Sequence, residues 1–380
     1  MLKSNDITII IPYHKDKNML KLSLTTLEAT LNNKNLEIII VANNINKLEI
    51  NISDDLDRNK YSIYEIEDNL FWPGAINFGA KHASGKYLLF CDPDIFYTES
   101  WLEELIDCFN AHENVGAVSS KLINPLTNRI MDFGMGYNQF NTIHITKGLK
   151  FNHPLCNCDR EVQAACGGIL LTSHDLFEKV NGIDISMPYI YCDNDYSIKL
   201  SSLGFKTFVS HKSIVYHKGN TDLQNSKYEN FKYLREDSKA AFYAKNYTKR
   251  KNDLSYWLQY VWNWYLNNSN NKQSNYYLFN FCTLFDKNEY VKYFIDSMNL
   301  NILNQKNIVL SKRDANNINL CNYISSEMIF SRIPFIYFVD DFLSLLNNKL
   351  WFHLRDISKD IVIDRHCNII NMYDIALNNV

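Results

Sequence analysis

Residues 86–96 read Lys-Tyr-Leu-Leu-Phe-Cys-Asp-Pro-Asp-Ile-Phe, an apolar run that leads straight into two carboxylates. The run at 87–91 is continuous rather than alternating, which is the pattern of a strand covered on both faces. Asp92 and Asp94 stand two apart. In extended chain, residues i and i+2 point the same way, so both carboxylates can face one ligand. Pro93 removes a ladder hydrogen bond at its own position and biases Asp92 toward extended backbone, so the strand ends here with the acids at its carboxyl end. In open α/β sheets that edge is where ligands bind. Two hard oxygen donors side by side suit Mg²⁺ or Mn²⁺ bridging phosphates. Taken alone, a solvated Asp-Pro-Asp turn is the plainer reading, and the flanking chain decides between the two.

Upstream, residues 7–11 form a β-branched run closed by Pro12 and Tyr13, and Leu20, Leu24, Leu27 and Leu31 then recur at helical spacing. A second buried strand at 37–42 ends in Asn43 and Asn44, whose amides can read a base or sugar edge and are equally a turn signal. A third strand is expected at 61–66. Asn69 opens a loop through Trp72, Pro73 and Gly74 into a helix carrying Asn77 and Gly79. Downstream come a helix at 101–109 capped by Ser100, a strand at 115–119, and a Gly- and Pro-rich stretch at 124–160 expected to shape a cleft. A strand at 167–172 and a short helix capped by Ser173 follow. A second acidic pair, Asp193 and Asp195, precedes a helix expected at 197–203. Short strands at 207–209 and 214–217 end in Tyr216-His217-Lys218-Gly219. Strand and helix alternate as in a βαβ sheet.

The 380 residues are 46% hydrophobic, enough for a large core and two domains. The net charge of -3 gives no basic field for nucleic acid, so no nucleic-acid partner is expected and phosphate recognition should be local. Nine cysteines without a framework spacing fit reduced thiols. The start lacks the features of a signal peptide, and no apolar run reaches the length of a membrane span, so a cytoplasmic protein is expected, peripheral at most on the inner membrane face. Beyond residue 249 the strand alternation fades. Aromatic-rich segments at 254–265, 276–285, 290–298 and 335–346 read as helices, making 249–380 a mainly helical accessory domain for partner docking, homo-oligomerisation or membrane-surface contact. Packing against the preceding domain is the plainer role for these aromatics.

Over the first 245 or so residues the chain resembles the family 2 glycosyltransferases of the GT-A fold. The resemblance rests on ordered features: Pro12-Tyr13, Asn43-Asn44, Asn69, Asn77-x-Gly79, Asp92-Pro93-Asp94, Gly167-Gly168, the run from Phe177 through Asn181-Gly182 to Asp184, Asp193-x-Asp195, Gly204-Phe205 and Tyr216-His217-x-Gly219. It implies a Rossmann-like, mostly parallel central sheet with flanking helices over 1–248. It further implies a nucleotide-diphosphate sugar donor of UDP or dTDP type, Mn²⁺ or Mg²⁺, a glycan or lipid-linked saccharide acceptor, and transfer with inversion in surface polysaccharide synthesis. By position, Asp94 would ligate the metal directly and Asp92 support it or reach the ribose, while His217 would complete the coordination. Pro12, Tyr13, Asn43, Asn44 and Asn69 would form the nucleotide pocket, and Asn77 would sit beside the donor. Asp193 would be the general base.

The family's base motif commonly reads Glu-Asp, and here Cys192 holds the Glu position. The base is therefore Asp193 or Asp195, the latter equally suited to capping the next helix. Trp72 replaces a small residue, either to stack on a sugar or to fill the core. His153, Cys156, Cys158 and Cys166 invite a zinc reading, but their spacing is not a zinc pattern. The loss of Glu at 192 also leaves a second function open, a catalytically inactive nucleotide-sugar-binding or assembly subunit. A nucleotidyltransferase would carry a Gly-rich basic loop after the first strand, which residues 12–16 do not provide.

Overall fold

The apolar runs Ile7–Tyr13 (β1) and Glu37–Asn43 (β2) lie side by side and parallel, in register from Thr8 opposite Glu37 to Tyr13 opposite Ala42. They belong to a computed structural model that describes residues 2–31, 36–43, 56–137, 142–219, 231–268, 275–282, 300–308 and 331–378, with shorter stretches between 291 and 328. The chain divides into two compact units, Met1–Met135 with Cys156–Lys251, and Gly136–Leu155 with Asn252–Val380.

Between β1 and β2 lies α1 (Lys17–Thr30), and the chain continues through β3 (Ser62–Ile66), α2 (Phe71–His82), β4 (Tyr87–Cys91), β5 (Ile95–Tyr97) and α3 (Trp101–Ala111). Then follow β6 (Val115–Ile123), β7 (Ile130–Asp132), β8 (Met135–Tyr137), β9 (Thr142–His144), β10 (Arg160–Val162) and β11 (Ile169–Ser173). The helices α4 (His174–Lys179) and α5 (Cys192–Ser202), the long strand β12 (Lys206–His217) and α6 (Phe231–Asn246) complete the first unit, whereas β9 and all of β8 but Met135 belong to the second. The sheet of the first unit runs β10-β12-β6-β11-β4-β1-β2-β3, with β5 on β12 and β7 on β6. The β4-β1-β2-β3 strands are mutually parallel, as are β6 and β12, while β11 lies antiparallel between β4 and β6. Two reversals restore direction, so the carboxyl ends of β1, β2, β4, β6 and β12 lie along one edge. This is the mostly parallel α/β sheet that the alternation predicts.

Strand parity divides the core. Ile9, Ile11, Ile38, Ile40, Leu89 and Cys91 face α1 and α3, whose Leu20, Leu24, Leu27, Trp101, Leu102 and Leu105 cover them. Ile39 and Val41 face the other way, with Ala75 of α2. That helix packs so closely that a side chain at Gly79 would stand 2.5 Å from Ile10.

Several boundaries differ from expectation. β1 runs on through Pro12, which faces Val41, to Tyr13. Ser100 precedes α3 but makes no side-chain cap bond, whereas Ser173 accepts from the Leu176 N–H as expected. The strands expected at 207–209 and 214–217 are one, β12, with its register broken between Ser210 and Ile214. The helix expected from 197 begins at Cys192. Tyr191 ends the preceding loop at φ 69, and its ring stacks on Phe242 of α6 at 4.8 Å, which fixes a backbone state that Tyr rarely adopts.

The second unit corrects the expectation of a mainly helical region. It has the expected helix at α7 (Leu254–Asn268), but its centre is a five-stranded sheet. The strands β13 (Asn275–Asn280), β14 (Asn301–Asn307), β15 (Phe335–Val339) and β16 (Ile361–Asp364) are parallel, and β17 (Ile369–Asn371) returns antiparallel along β16. Runs such as Phe335–Val339 are buried throughout. They therefore show neither period 2 nor period 3.6, and in sequence a covered strand and a buried helix look alike. The small helices α8 (Lys349–Leu354) and α9 (Met372–Ala376) flank the sheet's later strands. Most of the helix expected at 290–298 lies outside the described residues. The unit is pinned by a buried pair, Arg355 Nε to Asp360 Oδ2 at 2.9 Å, with the guanidinium 3.5 Å from the Phe335 ring centre and the Tyr337 hydroxyl donating to Asp360 at 2.8 Å. Among the described residues, no helix is long and apolar enough to cross a membrane.

Candidate active site

Asp92 leaves β4 with its backbone N–H donating to the Gly168 carbonyl at 2.8 Å, and Asp94 follows two residues later. His217 arrives from the carboxyl end of β12, the strand two places beyond β11 in the sheet. Its Nε2 lies 3.1 Å from Asp94 Oδ1 and 3.6 Å from Asp92 Oδ2. The other oxygen of each acid is already engaged. Trp72 Nε1 donates to Asp92 Oδ1 at 2.8 Å, and the Gly219 N–H donates to Asp94 Oδ2 at 3.0 Å. One oxygen per carboxylate and one imidazole nitrogen are thus left to converge, within 4.8 Å of one another.

The electrostatics favour a cation here. Burial pushes the Asp92 carboxyl up to about 6 against the opposing pull of His217. Burial also works upward on Asp94, but hydrogen bonding to His217 and the Gly219 N–H holds it below its ordinary value. Burial lowers His217, yet its bond to Asp94 outweighs this and leaves the imidazole more basic than usual. The two acids therefore hold positive charge against desolvation. A divalent cation at this donor set would take over the role of the imidazolium proton, and two oxygens with one imidazole nitrogen fit Mn²⁺ or Mg²⁺.

Gly167 and Gly168 form the wall between this cluster and Asp193. A Cβ on Gly168 would stand 3.1 Å from Asp92 Oδ2, and one on Gly167 would stand 2.9 Å from the Trp72 ring and 3.1 Å from Asp193 Cβ. Asp193 sits in the first turn of α5, half-buried. Its Oδ2 accepts from the Gly167 N–H at 2.9 Å and its Oδ1 from the Asn194 N–H at 2.8 Å. It belongs to the same electrostatic neighbourhood, since its charge is one of those that raise Asp92.

Asp195 is in a different place. It is fully buried, with Oδ2 at 3.0 Å from Lys245 and 3.5 Å from Lys199, and Oδ1 accepting from Asn246 at 2.9 Å. Of the two catalytic candidates it is the one whose oxygens are taken up in tying α5 to α6. Asn77 is likewise committed. Its Nδ2 donates to the Ile183 carbonyl at 2.8 Å and its Oδ1 accepts from the Ile183 N–H at 2.9 Å, so it clamps a turn rather than facing a donor. Asn69 accepts from the Phe71 N–H at 3.0 Å at the start of α2.

Pro12, Tyr13 and Asn43 stand at the same sheet edge as Asp92. Asn43 donates to the Tyr13 carbonyl at 3.0 Å, joining the two strand ends, while its buried Oδ1 has no partner among the described residues. Burial, with Asp16 nearby, raises the Tyr13 hydroxyl. Asn44 lies outside the described residues. Trp72 packs edge-on against Phe90, and its indole N–H orients Asp92, a role that composition and spacing do not reveal. Of the thiols and imidazole considered for zinc, none falls in a metal-like cluster among the described residues.

Residues 8–179 match the family described as Glycosyl transferase family 2. The chain is 24% identical over 218 residues to a putative polypeptide N-acetylgalactosaminyltransferase 13 of Drosophila melanogaster, covering 52% of this chain and 38% of that protein. It is 24% identical over 220 residues to the O-antigen biosynthesis protein RfbC of Myxococcus xanthus, covering 56% of this chain and 17% of that one. Among solved structures, GalNAc-T7 with UDP, GalNAc and Mn²⁺ aligns at a TM-score of 0.45 and 15% identity, covering 63% of this chain and 50% of that one. The chain thus spans half or less of the lengths of these relatives.

Proposed function

We propose, from the match of residues 8–179 to glycosyl transferase family 2, that this chain moves a sugar from a nucleotide-diphosphate sugar, of UDP or dTDP type, to a hydroxyl of a glycan or lipid-linked saccharide. The reaction proceeds with inversion and serves the assembly of a surface polysaccharide. The observation that carries this reading is the convergence of Asp92 Oδ2, Asp94 Oδ1 and His217 Nε2, each acid having its second oxygen tied back by Trp72 or Gly219. Bound there, Mn²⁺ or Mg²⁺ would neutralise the charge that develops on the departing diphosphate.

The chain's own groups do the rest. Pro12, Tyr13 and Asn43 line the strand ends where the nucleotide is held, and the bare backbone at Gly167 and Gly168 lets the sugar approach without meeting a Cβ. Asp193 takes the proton of the acceptor hydroxyl as that oxygen bonds to the anomeric carbon. The bond from the anomeric carbon to the diphosphate oxygen breaks on the opposite side, and the nucleoside diphosphate leaves with that electron pair. Asp193 is held for this by the N–H donors of Gly167 and Asn194, one to each carboxylate oxygen, which keep it aimed. Residues 249–380 are assigned an accessory role in docking the acceptor-bearing partner.

The test is release of nucleoside diphosphate from UDP-, dTDP- and GDP-sugars by the full chain, with Mn²⁺ or Mg²⁺ and with chelator. One donor class should stand out, lose its turnover with chelator and lose it in Asp94→Ala. If folded protein binds a nucleotide sugar but turns over none of them with either metal, the inactive nucleotide-sugar-binding reading replaces this one.

A further inference from the structure

A second convergence of metal-ligating side chains lies in the first unit, away from the acid pair. Cys108 lies in the last turn of α3, His112 is the extended residue just past its end, and Asp159 approaches them just before β10. Their ligand atoms lie within 4.8 Å of one another, with His112 Nε2 and Asp159 Oδ2 separated by 3.1 Å. His211 completes the group from the irregular middle of β12. Its Nδ1 stands 2.7 Å from Asp159 Oδ1, and its backbone N–H donates to the same oxygen at 3.0 Å.

The division of labour follows from those contacts. Asp159 Oδ1 is taken by His211 twice over, which leaves Oδ2 turned toward His112 and Cys108. The His112 ring is stacked flat on Phe208 at 4.1 Å and 6°, so its orientation is set before any ligand arrives. The thiol of Cys108 is buried, but the side chains of His112, Asp159 and His211 keep 31%, 19% and 26% of their exposure, which gives an ion a way in. A pair of histidines bridged by an aspartate would need no cysteine. A thiol aimed at a carboxylate makes a weak hydrogen bond, whereas a thiolate beside imidazole and carboxylate is a donor set that a borderline-soft divalent ion prefers.

We propose that Cys108 Sγ, His112 Nε2 and Asp159 Oδ2 bind one Zn²⁺, with a water in the fourth position and His211 orienting Asp159. On binding, the Cys108 thiol gives its proton to solvent and its sulfur lone pair to the metal, so each ion taken up at neutral pH releases one proton from this thiol. The ion would join the end of α3, the segment before β10 and the irregular centre of β12. That strand reaches His217 six residues later, so the site would stiffen the element that carries the active-site imidazole. His211 is thus a positioning residue, the carboxylate's outer partner.

The test uses the full-length Asp94→Ala protein, in which ion binding at the active-site acids is weakened, stripped with chelator and titrated with Co²⁺ and then Zn²⁺. The expected result is one Co²⁺ per chain with a near-ultraviolet thiolate-to-cobalt charge-transfer band, bleached as Zn²⁺ displaces it. Cys108→Ser should lose the band. His211→Ala should keep it while binding Zn²⁺ about 10- to 100-fold more weakly. Absence of the band, or its persistence in Cys108→Ser, overturns the site. If Cys108→Ser does not fold, alkylation of the unaltered thiols followed by peptide mapping decides. Zn²⁺ should protect Cys108 from alkylation, and labelling of Cys108 at the same rate with and without Zn²⁺ rejects the proposal.

Discussion

The indole N–H of Trp72 donates to Asp92 Oδ1 at 2.8 Å and so turns Asp92 Oδ2 toward His217. A residue from the start of α2 thereby sets the aim of a carboxylate at the end of β4. Trp72→Phe keeps an aromatic ring against Phe90 but removes the donor. Because outer partners of a ligating carboxylate are worth about 10- to 100-fold in metal affinity, this variant should need at least about 10-fold more Mn²⁺ for half-maximal turnover. Nucleoside diphosphate release measured against Mn²⁺ concentration checks it, and an unchanged midpoint would deny Trp72 this role.

Asp193 and Asp195 are two residues apart and should fail in opposite ways. Asp193→Asn keeps the side chain's size at the start of α5 but can accept from only one of Gly167 and Asn194 and removes the base, so turnover should fall by about 10²- to 10⁴-fold while stability drops only by the one lost hydrogen bond, about 1 kcal/mol. Asp195→Ala leaves Lys245 and Lys199 facing a buried hole. Removing one partner of a buried ion pair costs about 3–5 kcal/mol, and because Lys245 is partly exposed the lower end is expected. Urea unfolding and turnover on both variants separate the roles.

The Asp184 carboxylate bonds Lys245 Nζ at 2.6 Å. Burial pushes this acid up, but the hydrogen bonds from Lys245 and Ser186 outweigh it and hold it down at about 2. A carboxylate depressed in the folded state contributes stability that is present above its unfolded value of about 3.9 and is lost as pH falls through about 2. The pair is partly solvent-screened, so the contribution is about 1 kcal/mol rather than the full linkage value. Asp184→Asn should therefore be less stable than the natural chain at pH 5, and the gap should close toward pH 2. Unfolding free energies at pH 5, 4, 3 and 2 on both proteins test the sign.

The first unit was largely legible because its signals are local. Continuous apolar runs at β1, β2 and β4 announce covered parallel strands, and Pro93 marks where β4 ends. What escaped depends on partners far along the chain. Asp195 cannot be told from a base candidate until Lys245 and Asn246 are seen beside it. Asn77 looks like a ligand residue until both ends of its amide meet Ile183. In the second unit β15 is aromatic and wholly covered and β13 is covered over its last three residues, and such burial erases the periodicity by which strand and helix are distinguished. Cys108 and His112 straddle the end of α3, their third member, Asp159, lies 47 residues beyond His112, and no spacing rule connects them.

Cys192 stands where the family resemblance leads one to expect Glu, and its neighbourhood indicates what that change does. The side chain is buried, and burial followed by the Asp193 charge pushes the thiol well above its ordinary value, so it is neither a base nor a nucleophile near neutral pH. It acts as a small apolar filler at the start of α5. The carboxylate next to it keeps its own donors from Gly167 and Asn194, neither of which involves Cys192. Cys192→Ala should therefore keep turnover within about threefold, or about 0.6 kcal/mol of barrier, and lose only a small amount of stability to the missing sulfur. Cys192→Glu should instead place a charge without a partner in a buried position and destabilise by several kcal/mol. Turnover and urea unfolding on the two variants decide the matter. A large loss of turnover in a stably folded Cys192→Ala would mean that the thiol takes part in the chemistry and that Asp193 does not act alone.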